Sequence, residues 1–119
     1  MITACEDRFA FASTLAIYIY DMATFQLLKL IAFGDRNLTC MEWCPTDSSV
    51  IAQGTIDKML VLWDVESESV KFQVSLPSAV TQMCWSRRDP NVLFFILNNG
   101  KPTLCARVLW HQPDSLCAT

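Results

Sequence analysis

Gly54-Thr-Ile-Asp-Lys-Met-Leu-Val-Leu-Trp-Asp-Val65 is the stretch whose reading decides the fold. Gly54-Thr55 closes one apolar segment. Ile56-Asp57-Lys58 supplies a short polar turn, and Met59 to Trp63 runs as a second apolar segment that ends in Trp63-Asp64. Two apolar runs joined by a tight turn containing Asp predict a β-hairpin.

The same grammar extends in both directions. Upstream, Leu38 to Trp43 predicts a strand that Cys44-Pro45 must end, because proline cannot donate to a sheet ladder. Val50 to Ala52 leads into the hairpin. Downstream, Val70, Phe72, Val74 and Leu76 alternate with polar residues, the pattern of a half-exposed strand that stops at Pro77. Arg8 to Ser13 and Ala16 to Tyr20 predict two further strands, rich in aromatic and β-branched residues. Phe25 to Phe33 has helix-forming leucines, but nine residues stopped by Gly34-Asp35 favour a strand. Ala79 to Trp85 restarts the pattern. Val92 to Leu97 is continuously apolar, as in a strand buried on both faces. Thr103 to Trp110 is a last apolar strand, and residues 111–119, with Pro113, read as a frayed tail.

Composition narrows the function classes. With 119 residues the chain holds one domain at most, and 52% hydrophobic residues supply a core. A net charge of −3 leaves no basic footprint for nucleic acid. The longest uncharged apolar stretch, Phe9 to Tyr20, is too short for a membrane span, which needs about 20 residues. Glu6, Asp7 and Arg8 break the N-terminal apolar character that a secretory signal would need. The expected compartment is therefore the cytoplasm, with no nucleic-acid or membrane partner. Six cysteines and one histidine, His111, lack the paired spacing of a zinc site, so most thiols read as small core hydrophobes. No metal or cofactor is expected. Three glycines leave neither a phosphate-cradling loop nor a nucleophile elbow.

An internal repeat emerges from the segments. Thr39-Cys-Met-Glu-Trp43 matches Thr81-Gln-Met-Cys-Trp85 at a spacing of 42, and Tyr20-Asp21 precedes Trp63-Asp64 by 43. Trp110 follows Trp63 by 47. Periods of about 40–45 residues with four short strands each are the mark of propeller blades.

On Met41-Glu-Trp43-Cys-Pro45, Ala52-Gln-Gly54-Thr55-Ile-Asp57 and Leu60-Val-Leu-Trp63-Asp64, the chain resembles the WD-repeat β-propeller family. The resemblance spans about residues 8–110. It implies an all-β, partial propeller of four-stranded antiparallel blades: a partial blade at 8–33, a full blade at 38–76 and a partial blade at 79–110. Asp7 to Tyr20 is also similar to the amino-terminal region of a large multi-repeat member. The resemblance places Thr55, Asp57 and Trp63 in the family's structural hydrogen-bond network. The network's histidine should fall at Gly34-Asp35, where Asp35 stands instead.

The expected function is a non-catalytic protein–protein interaction scaffold, a fragment or shortened form of a larger propeller protein. Its partners are other proteins. Two and a half blades cannot close a ring, which is why the chain reads as a fragment or shortened form; the alternative is self-association or completion of the ring by another chain. The resemblance puts Asp35, Arg36, Asn37, Lys58 and Ser78 on partner-facing loops. Asp57 reads as architecture, because no histidine, nucleophile or second carboxylate is registered with it. The competing fold is a small closed β-barrel or sandwich holding a ligand inside.

Overall fold

A computed structural model describes residues 1–32, 37–89 and 91–97 in full, together with the backbone of 98, 102–108 and 116–118. Over these residues the chain forms strands β1 (Ile2–Ala4), β2 (Arg8–Ala12), β3 (Ala16–Asp21), β4 (Leu27–Ala32), β5 (Leu38–Trp43) and β6 (Val50–Thr55). It continues with β7 (Met59–Asp64), β8 (Ser69–Ser75), β9 (Val80–Trp85), β10 (Val92–Asn98), β11 (Pro102–Val108) and β12 (Leu116–Ala118). Three separate four-stranded sheets result, in the orders β1-β2-β3-β4, β5-β6-β7-β8 and β9-β10-β11-β12. Each is an antiparallel meander.

This arrangement corrects two expectations and disfavours the competing closed barrel. The outer units are full four-stranded sheets, because β1 completes the first and β12 the third. The tail expected to fray instead pairs Leu116–Ala118 with β11. No closed barrel forms among the described strands, since each sheet keeps its own two edges. The segment with helix-forming leucines is strand β4, and its pairing with β3 carries a bulge between Ile19 and Tyr20.

Period-two alternation decides how the sheets stack. Register places Ala10, Ile19 and Lys29 in one row of the first sheet, and Ala12, Ile17 and Ile31 on the same face. That face packs on Met41, Trp43, Ile51, Val61 and Trp63 of the second sheet. The second sheet's other face, with Val50, Ala52, Leu60 and Leu62, packs on Val80, Met83, Trp85, Leu93, Phe95 and Leu97 of the third. All six residues of β6 are therefore buried. Each aliphatic side chain taken out of water on this scale contributes about 1.5–3 kcal/mol. On one edge β1 contacts β5 and β5 contacts β9, so the first strands of the three sheets lie side by side and the sheets fan outward from them.

The end sheets each keep an open face. The run Val92 to Leu97, read as buried on both sides, buries only Leu93, Phe95 and Leu97. Phe94 is 39% exposed, because no sheet covers the outward face of the third blade.

The centre of the stack is tight at one glycine. A Cβ on Gly54 would meet Cys40 Sγ and Thr39 Oγ1 at 2.9 Å and Val80 Cβ at 3.1 Å. Two of those atoms sit on β5, the neighbouring strand of the same sheet, and the third on β9, so the missing side chain lets the third sheet close on β6 beside β5. Gly54→Ala should destabilise the fold by about 1–3 kcal/mol through overpacking. An unchanged thermal midpoint for that variant would show that the close approach is not needed.

Candidate interaction face

Antiparallel meanders sort the loops into two ends. One end carries the β2–β3 and β6–β7 turns and the links from β4 to β5 and from β8 to β9. The β6–β7 turn at this end is a three-residue loop. Lys58 N–H donates to the Thr55 carbonyl at 3.2 Å, and Lys58 lies at φ 69°, the left-handed position that closes such loops. Inside the turn Thr55 Oγ1 bonds the Asp57 carboxylate and accepts the Met59 N–H at 3.1 Å. The turn is tied on both sides. Ile56 N–H donates to the Asn37 carbonyl at 3.0 Å, and Leu76 N–H donates to the Lys58 carbonyl at 2.8 Å. Ile56, Asp57 and Lys58 stand exposed on this braced backbone, next to exposed Asn37 and Pro77.

Of the residues expected on partner-facing loops, Asn37 and Lys58 are exposed at this end. Ser78 is a correction. It is 7% exposed, with an Oγ that has no hydrogen-bond partner among the described residues, because the chain turns inward after Pro77 toward fully buried Val80. Asp35 and Arg36 lie outside the described residues, as does the position where a histidine was sought. Beside Asn37 a cleft of about 290 Å³ opens between two sheets, lined by Met1, Ala12, Ser13, Thr14, Asn37 and Leu38. Sequence reasoning did not find this cleft, since its walls come from three segments separated along the chain, near residues 1, 12–14 and 37–38. Ser13 braces its rim by accepting the N–H groups of Leu15 and Ala16 at 3.2 and 3.3 Å.

Of the expected grouping of Thr55, Asp57 and Trp63, the first two bond each other in the turn, and Trp63 bonds a further residue. The Trp63 indole N–H donates to Gln53 Oε1 at 2.8 Å. Trp63 lies opposite Ile51 in the ladder, which makes Gln53 its diagonal neighbour on the same face. The amide is long enough to reach the ring, and both groups are buried. Gln53 was legible as the one polar side chain in an apolar run, two residues before Thr55.

The opposite end is held by carboxylates at repeated positions. Asp21 Oδ1 accepts the N–H groups of Ala23 and Thr24 at 2.8 and 2.9 Å, and Asp64 Oδ1 accepts those of Glu66 and Ser67 at 3.0 and 3.3 Å. Phe25 and Glu68, each four residues further on, both adopt positive φ. The Asp of the Tyr-Asp and Trp-Asp pairs thus builds a turn. The backbone donors of Thr24 and Ala23 hold the Asp21 carboxyl below its usual range. In the turns after β5 and β9, Asp47 Oδ1 accepts the Ser49 N–H at 3.0 Å and Asp89 Oδ1 the Asn91 N–H at 2.9 Å. The Ser49 hydroxyl, 2.6 Å away, is the main cause that holds the Asp47 carboxyl low.

Also at this end, Arg8 joins the first two sheets. Its guanidinium lies 5.1 Å from the Trp43 ring centroid and donates to the Ser48 carbonyl at 2.8 Å and to Glu66 Oε1 at 3.3 Å. Lys29 Nζ donates to the carbonyls of Val65 and Glu66 at 3.1 and 3.2 Å. Elsewhere burial pushes the Cys40 thiol and the Glu42 carboxyl up. Cys44 is buried as expected of a core thiol, but Cys84 is exposed.

Comparison with known proteins locates the fold. No family model matches the chain. It is 33% identical over 49 residues to DNA damage-binding protein 2 of Gallus gallus, which covers 41% of this chain and 10% of that protein. A chain in the crystal structure of the mitotic checkpoint complex superposes with a TM-score of 0.72 at 17% identity, over 89% of this chain and 33% of that one. The β-propeller domain of Myceliophteria thermophila Cps50 (Swd1) gives 0.71 at 15% identity, over 93% and 34%. The WD40 domain of Toxoplasma gondii coronin gives 0.69 at 17% identity, over 84% and 27%. The chain thus spans about a third or less of the solved chains it matches, and a tenth of the curated relative.

Two measurements test this geometry. Gln53→Leu should cost about 1–3 kcal/mol by removing the Oε1 acceptor of the Trp63 indole, and the cost should be smaller in a Trp63→Phe background. Additive costs in a double-mutant cycle would dissociate the two residues. For Asp47, the depressed folded pKa means that its contribution is present above the unfolded value of about 3.9 and is lost as pH falls through the folded one. The urea-midpoint gap between the native chain and Asp47→Asn should therefore narrow below about pH 4. A gap constant across that range would remove the Asp47–Ser49 linkage.

Three meandering sheets fanned from adjacent first strands, one well-formed Trp-Asp hairpin and a 42-residue period together give this chain the fold of consecutive WD40 β-propeller blades.

Proposed function

We propose that the chain is part of a non-catalytic scaffold that holds other proteins at the loop end carrying Asn37, Ile56, Asp57 and Lys58. The observation that carries this reading is the braced hairpin tip. Its three turn residues are exposed, yet the Asn37 and Leu76 hydrogen bonds fix its backbone on both flanks. A rigid loop presented by a rigid sheet loses little conformational entropy on docking.

The chemistry of the adjoining cleft supports binding over catalysis. Among the described residues, its lining side chains include two hydroxyls and an amide, but no acid, base or thiol. The shifted carboxylates Asp21 and Asp47 serve turns at the other end. Protein partners also suit the company the fold keeps, since one chain of this fold was solved inside the mitotic checkpoint complex. Membership of a larger propeller fits the share of the solved chains that this chain spans. Cytoplasmic residence suits its free thiols.

The test uses two turns of like backbone and opposite location. Lys58→Gly and Glu68→Gly both keep a positive φ without strain, at the proposed and the opposite end respectively. Lys58→Gly combined with Arg36→Ala and Asn37→Ala should lower capture of the proteins enriched on the native chain at least about tenfold, a loss near 1.4 kcal/mol. Glu68→Gly should leave capture unchanged. Equal capture by both variants would refute the assignment of this end.

A further inference from the structure

We draw no further inference here: the strongest candidate, the outer edge of strand β4 (Leu27–Ala32), where Lys29 is the one charged side chain, carries nothing because nothing among the described residues shows what covers it.

Discussion

A strand that must bury both of its faces governs this structure. β6 lies between two sheets, and every one of its residues is withdrawn from solvent. Its odd positions, Ile51, Gln53 and Thr55, face the first blade, and its even positions, Val50, Ala52 and Gly54, face the third. Two-sided burial removes any surface on which a polar group can stay hydrated, so each polar atom needs an internal partner. Gln53 meets the demand with Trp63, and Thr55 meets it with Asp57 and Met59. Gly54 meets the steric form of the same demand by having no side chain where Cys40, Thr39 and Val80 converge.

The blades are held by two kinds of interaction that divide the work by location. Apolar stacking fills the interior and sets which faces meet. Carboxylates and hydroxyls close the turns, where backbone N–H groups would otherwise lack acceptors. Asp21 and Asp64 occupy equivalent turns in successive blades, as do Asp47 and Asp89. The repeat is thus written in hydrogen bonds as well as in hydrophobic spacing. Arg8 and Lys29 then tie the first blade to the turns of the second, at the end remote from the hairpin tip.

Carboxylate-closed turns hold one end, and the other end presents exposed residues on the braced Thr55–Met59 hairpin. Asp57 illustrates the economy. Its carboxylate builds the turn that presents Ile56 and Lys58, so a residue that looks chemical on a loop serves architecture.

Alternation and turn chemistry are local properties, and the sequence by itself determined what depends on them. The strands from β2 to β11, the hairpin at Thr55–Met59 and the 42-residue period all follow from residues close in the chain. Ile2–Ala4 and Leu116–Ala118 were not legible, because three residues carry no measurable period and pair only through a neighbour already in place. Burial was legible only where a run has one apolar side. Val92 to Leu97 reads as apolar throughout, yet whether its second face is covered depends on a sheet that sequence does not place. The tertiary structure alone decided that Ser78 turns inward, that Gln53 takes the Trp63 indole, and that a cleft opens beside Asn37. Each of these depends on groups brought together across strands or sheets, where distance in space and distance along the chain part company.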